Sequence, residues 1–147
     1  MDNFKTRINI LSDIVQEKNE MLQTVLNITH NQKILLESDD ETGQSLQIFS
    51  AMSIEKQKNI DKIQDNDQLF NNIFESLTAF EEEAQNYKTE IRKLQDQVKI
   101  ATDLDMKIRL AEEENKSFHK KNIIKTPTDL TKKNVLNKYK NNSNFKN

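Results

Sequence analysis

The residues able to do chemistry are few, and they are scattered along the chain. Two histidines are present, His30 and His119, and there is no cysteine. Neither histidine has a second metal-ligating side chain at helical spacing, so the sequence predicts no metal site around them. His30 falls near the end of the first predicted helix, where a positive charge interacts favourably with the helix dipole. We interpret it as a surface residue.

Three carboxylates have the spacing of a calcium-binding loop without the rest of its pattern. These are Asp61, Asp65 and Asp67. Leu69 occupies a position that should supply a ligand, and no glycine provides the bend. A solvated helix face explains them better.

Motifs for catalysis and for cofactor binding are missing as well. The sequence contains no glycine-rich phosphate loop, no nucleophile elbow and no Ser/His/Asp constellation. We therefore expect no enzyme, no cofactor and no metal. The sequence therefore favours a role in binding or in structure.

Composition favours a helical protein with narrow apolar seams. Hydrophobic residues make up 34% of the 147 residues and charged residues 31%. That is too polar for a deep globular core but sufficient for the seams of a helix bundle. The N-terminus lacks a charged-then-apolar leader, and aliphatic runs reach only two or three residues, far below a membrane span. The sequence predicts a soluble, cytoplasmic protein.

Charge divides the chain into an acidic body and a basic tail. Residues 1–115 contain 13 Lys and Arg against 23 Asp and Glu, whereas residues 116–147 contain nine Lys against one Asp. Lysines can bind phosphates, but the tail has no arginine, which is the usual fork for bases and phosphates. A solvated tail that folds back on the acidic body is the simpler interpretation, so binding to nucleic acid is the weakest of the functions considered.

Apolar periodicity predicts three long helices. Only Gly43 and Pro127 interrupt the backbone strongly, because glycine tolerates positive φ and proline removes a donor. Steps of three and four residues indicate helices over about 3–37, 44–77 and 79–115.

Two turns must separate these helices. Residues 38–43 form the first, where Ser38 and Glu41 fit a capping box and Gly43 lengthens the loop. The second is placed at about 76–79, where the apolar phase slips and Thr78 with Glu81 fits another capping box.

The predicted fold is therefore all-α, an antiparallel three-helix bundle over residues 1–115. If the second turn is absent, the chain is a long helical hairpin with one very long arm. Residues 116–147 are predicted to be mostly disordered, with a short helix over about 129–140.

The end of the third helix is apolar on more than one side. The extra side chains are Ile100, Leu104, Met106, Leu110 and Ala111. A second apolar side has to be buried somewhere. It is explained either by a homodimer or by a groove for the amphipathic helix of a partner.

Two segments resemble a known family. The run EKQKNIDKIQDNDQLF over residues 55–70 resembles the flagellar export chaperones of the FlgN/FliT-like group, in which a KQ pair, an I-D-x-I unit and a D-x-x-F unit follow one another. The third helix closes over 108–115 with aliphatic, acidic and asparagine residues, which is similar to the group's closing pattern. The resemblance extends loosely over residues 4–115.

This resemblance implies a specific role. Members of the group are small helical cytoplasmic proteins that bind the C-terminal helical segment of hook-associated (hook–filament junction) proteins or of the filament cap. They prevent premature assembly and deliver these subunits to the flagellar type III export apparatus.

By the same resemblance, the third helix and the tail hold the binding sites. The partner-binding residues it implies are Ile91, Leu94, Val98, Ala101, Leu104 and Ile108. Tyr139 is implied as a docking residue for the export machinery. The alternatives are a self-associating structural coiled-coil protein and a nucleic-acid-binding helical protein that uses the basic tail.

Overall fold

The fold is all-α, as the sequence predicts. The computed structural model describes residues 3–38 and 43–123, and no strand occurs among them. Helix α1 spans Asn3–Glu37, α2 spans Gln44–Ser76, a 3₁₀ segment spans Leu77–Tyr87, and α3 spans Lys88–Ile123.

Helices α1 and α2 are antiparallel. In the middle of α1, the Lys18 ammonium lies 2.7 Å from the carboxylate of Asp67, late in α2. Near the end of α1, the amide of Gln32 donates to the Ser53 hydroxyl, early in α2, at 2.9 Å.

Helix α3 runs parallel to α1. The Ser12 hydroxyl donates to the Gln97 side chain at 2.7 Å, and the Lys33 ammonium lies 3.0 Å from the Glu114 carboxylate. The chain must therefore reverse between α2 and α3, which produces the up-down-up bundle rather than a hairpin with one long arm.

The reversal occurs in the 3₁₀ segment, where Phe80 has a non-helical backbone (φ −124°, ψ 24°). The Thr78 hydroxyl donates to the Glu75 carbonyl at 2.9 Å, so Thr78 closes the end of α2. The sequence predicts a third helix from about residue 79, but α3 begins at Lys88. The predicted capping box of Thr78 with Glu81 therefore does not start this helix.

The far end of α3 also differs from the expectation. The helix continues to Ile123, so the backbone of 116–123 is helical and does not belong to the predicted disordered tail. The predicted short helix at 129–140 and the docking residue Tyr139 lie outside the described residues.

The turn between α1 and α2 depends on its glycine. Gly43 has φ 78° and directly precedes α2, a conformation that L side chains adopt at a cost. The Ser38 hydroxyl donates back to the Leu35 carbonyl at 2.6 Å and so closes α1. Glu41, its expected capping partner, lies outside the described residues.

Two apolar clusters hold the bundle together. The proximal core, at the reversal end, consists of Phe4, Ile8, Leu11, Val15, Leu77 and Leu94. The distal core, toward the α1–α2 turn, consists of Leu22, Val25, Leu26, Ile60, Ile63, Ala101, Leu104, Ile108 and Ala111. Both clusters combine side chains from α1, from α3 and from the chain between them, so each helix is fixed by burial of its apolar stripe.

Candidate functional site

Most of the predicted partner-binding residues lie inside the bundle. Leu94 belongs to the proximal core, and Ala101, Leu104 and Ile108 belong to the distal core. Ile91 is half-buried against the proximal core, while Val98 is exposed. The stripe therefore packs α3 onto the rest of the bundle, and a partner could reach its four buried residues only if α3 moved away.

The second apolar side of α3 divides between core and surface. Leu104 and Ala111 are buried, whereas Ile100, Met106 and Leu110 are exposed. Met106 and Leu110 stand one helical turn apart on the same face. They make a small apolar surface on the outside of α3.

A larger apolar surface lies at the reversal end of the bundle. Six hydrophobic side chains there are only partly buried and pack against the proximal core: Phe70, Ile73, Phe80, Ala84, Tyr87 and Ile91. We call this set, together with the 53% exposed Phe74, the kink-end surface. The distal core has one such partly buried neighbour, Met21. Exposed aliphatic side chains such as Ile34 and Ile54 occur elsewhere on the bundle, but four partly exposed aromatic side chains gather at this end.

Aromatic contacts organise the kink-end surface. Phe70 stacks on Phe74 with ring centroids 5.9 Å apart, and Tyr87 stacks on Phe4 of α1 at 5.6 Å. Such pairs position the rings beyond what burial alone does. Three of the four rings in these pairs, those of Phe70, Phe74 and Tyr87, are partly exposed to solvent.

Arg7 of α1 contacts the residues at the kink-end surface. Its guanidinium lies 5.3 Å from the centroid of the Phe80 ring and donates to the Ser76 hydroxyl. A cation over a ring face is attracted by the ring quadrupole. Arg7 therefore holds the reversal segment against the first turns of α1.

A largely buried polar cluster lies between the helices in the distal half of the bundle. It consists of Thr29, Gln32, Ser53, Lys56, Glu112 and Asn115. The Lys56 ammonium lies 2.7 Å from the Glu112 carboxylate, and the two side chains are 3% and 0% exposed. This ion pair connects α2 to α3.

Helix α1 completes the polar cluster. The Thr29 hydroxyl lies within hydrogen-bond distance of the Val25 carbonyl, at 2.8 Å, and of the Glu112 carboxylate, at 3.2 Å. The amide of Asn115 donates to the Thr29 carbonyl at 3.0 Å. Since all three helices contribute, the cluster fixes their relative register.

A second ion pair lies on the surface close to this cluster. Lys33 donates to Glu114 at 3.0 Å, and both side chains are largely exposed. The hydrogen bond and the charge of Glu114 raise the pKa of Lys33 above its ordinary value. This pair is a natural comparison for the buried one.

Sequence reasoning missed both features, although each left a signal. Lys56 stands seven residues after Phe49 and four before Ile60, and Glu112 stands four after Ile108. A charge in register with an apolar stripe indicates that it is buried and paired. For the kink-end surface, the signal is the density of aromatic residues over 70–87.

The residues weighed for chemistry remain separate. His30 is exposed, as are Asp61 and Asp65. No group of three potential metal ligands comes together among the described residues. No described helix is both long and apolar enough to span a membrane.

Comparison with known proteins gives no relative: the chain matches no protein-family model, no curated protein and no solved structure.

Proposed function

We propose that this protein is a chaperone that binds an amphipathic helical segment of a partner protein at the kink-end surface. The observation that carries the proposal is the gathering of four partly exposed aromatic side chains, Phe70, Phe74, Phe80 and Tyr87, at one end of the bundle. Surfaces of this kind mark sites of protein interaction, and aromatic residues are enriched in the centres of interfaces.

We propose the identity of the partner from the resemblance of residues 55–70 to the FlgN/FliT-like group. We propose that the chain binds the C-terminal helical segment of a hook-associated (junction) protein or of the filament cap protein. As such a chaperone it works in the cytoplasm, keeps the subunit unassembled and delivers it to the flagellar export apparatus. The all-α three-helix fold agrees with this role, and no catalytic step is part of it.

The proposed binding site departs from the six residues first predicted. Ile91 remains in it because it lies on the kink-end surface. Leu94, Ala101, Leu104 and Ile108 are assigned to the core of the chaperone itself.

Titration calorimetry with the C-terminal segment of a junction protein tests the proposal. We expect one-to-one binding and a negative heat-capacity change, because apolar surface is buried. The Phe74→Asp variant should weaken binding by about tenfold or more, as the loss of an aromatic anchor does. Circular dichroism establishes that the variant stays folded.

Met106→Asp is the matched control, because Met106 is 57% exposed on α3 and lies outside the kink-end surface. It should leave the affinity unchanged. If Met106→Asp abolishes binding and Phe74→Asp does not, the site lies on the outer face of α3. If neither a junction segment nor a cap segment binds the unmodified chain, the proposed function is wrong.

A further inference from the structure

The kink-end surface carries a charge of one sign beside its apolar side chains. Between residues 75 and 90 there are five glutamates, Glu75, Glu81, Glu82, Glu83 and Glu90, and one base, Lys88. Glu75, Glu81 and Glu82 are exposed, and the other two glutamates are half-buried. The half-buried Phe80, Ala84 and Tyr87 lie in the same segment, so the apolar surface has an acidic border.

Arg7, a base on α1, is already engaged. Arg7 lies over the Phe80 ring and donates to the Ser76 hydroxyl, so its charge serves the contact between α1 and the reversal segment. Farther along α3, Arg92 and Lys93 are exposed, one to two turns beyond the last half-buried aromatic residue, Tyr87. Within the segment itself, one lysine stands against five glutamates, so the acidic border keeps an excess of negative charge.

We propose that the helix bound at this surface carries lysine or arginine side chains on both sides of its apolar stripe. The inference rests on the proposed binding function and adds the charge pattern of the partner. Complementary charges at the edge of an interface speed association and exclude partners of the wrong sign. The apolar stripe supplies the binding energy, and the flanking bases select the partner.

Two synthetic helical peptides with the same leucine and isoleucine stripe, one flanked by lysine and one by glutamate, test this with the full chain. Binding is measured by calorimetry at about 0.05 M and about 0.5 M salt, between which the Debye length falls about threefold. We expect the lysine peptide to bind about tenfold tighter or better at the lower salt, and the preference to shrink at the higher salt.

A pair of charge reversals locates the effect. Glu81→Lys with Glu82→Lys, both at exposed positions, should remove or reverse the preference for the lysine peptide. Asp103→Lys with Glu113→Lys changes the charge equally at two exposed positions of α3 and should leave the preference in place. This control separates the border of the kink-end surface from the general acidity of the body.

The outcomes separate this inference from the proposed function. If the two peptides bind equally, the inferred charge pattern of the partner is wrong, although helix binding stands. The same holds if both double variants lose the preference for the lysine peptide. Binding of neither peptide, with a junction segment still bound, also overturns the inferred charge pattern. If sedimentation shows instead that the chain dimerises and that Glu81→Lys with Glu82→Lys dissociates the dimer, the basic occupant is a second copy of this chain and the inference of a partner helix is wrong.

Discussion

Lys56 and Glu112 are buried at a cost that their mutual attraction only partly offsets. Removing both charges from water costs several kcal/mol per ion, and the pair recovers this only with good geometry and further hydrogen bonds. The 2.7 Å contact and the Thr29 hydroxyl provide both. We propose that this pair serves specificity more than stability, since its contacts are satisfied in one helix register.

Breaking the pair from one side should therefore be severe. Lys56→Met leaves the fully buried Glu112 carboxylate without its cation, and we expect a loss of about 3–5 kcal/mol in the free energy of unfolding. Urea denaturation followed by circular dichroism measures it. The double variant Lys56→Met with Glu112→Leu should recover most of the loss, because no charge then remains buried.

Lys33→Met is the matched control for this prediction. It also removes a lysine from a pair with a glutamate of α3, but that pair is largely exposed, and exposed pairs contribute little. Its urea midpoint should stay close to that of the unmodified chain. If the two single variants unfold at the same urea concentration, the polar cluster has no special role in the bundle.

Substitutions of Gly43 test the backbone conformation at the α1–α2 turn. Its φ is +78°, and a Cβ added there meets no atom within 4 Å. Gly43→Ala should lower the free energy of unfolding by about 1–2 kcal/mol through backbone strain alone. Gly43→Asn should cost less, because asparagine tolerates the left-handed region. Thermal unfolding of the two variants decides, and equal melting temperatures for all three chains would contradict the argument.

At the scale of the elements, the apolar stripe of α3 shows why a core and a binding site are hard to distinguish from sequence. Leu104 and Ile108 have the spacing required by either. The stripe predicts that α3 is covered on that side, which is correct, but it contains no information on whether the cover comes from the same chain. The packing against Val25 and Ile60 in the distal core supplies that information.

Matched alanine substitutions on α3 test the assignment. Leu104 is 8% exposed and Met106 57% exposed, although they are two residues apart on one helix. Leu104→Ala should reduce the free energy of unfolding by about 2–5 kcal/mol through the cavity it leaves, and Met106→Ala should change it by about 0.5 kcal/mol or less. Equal effects in urea denaturation would mean that α3 does not pack as described.

The reversal between α2 and α3 was predictable in position but not in form. The slip of the apolar phase near Phe80, together with the capping pattern of Thr78 and Glu81, favours a turn there over a helix that absorbs the slip by overwinding. The start of α3 was not predictable from Thr78, because its hydroxyl bonds to the preceding turn, a competing use of threonine that no sequence pattern distinguishes from an N-cap. The 3₁₀ form depends on contacts such as Arg7 over Phe80, which only the tertiary structure reveals.

For the whole molecule, the two ends of the bundle differ in the kind of side chain that they contain. The distal half contains buried polar side chains from three helices that hydrogen-bond to one another, whereas the proximal end presents partly exposed aromatic residues. Both apolar clusters are built from side chains of this chain alone, so the fold buries its core without a partner. That division suits a protein that must stay folded both with and without its partner.

This arrangement also bears on self-association, the alternative explanation of the apolar third helix. The main reason for a dimer disappears, because α1 and α2 already cover Leu104 and Ile108. The hydrophobic side chains that α3 leaves exposed are Val98, Ile100, Met106 and Leu110, far fewer than the roughly 20–30 residues a side of a stable interface. We therefore expect sedimentation velocity at micromolar concentration to give a monomer of 17.3 kDa, elongated because α1 alone, with 35 residues, is about 50 Å long. A dimer that dissociates in the Met106→Glu, Leu110→Glu variant would contradict this expectation and assign the outer face of α3 to self-association. If the unmodified chain and that variant both sediment as monomers, the kink-end surface remains the proposed surface for a partner.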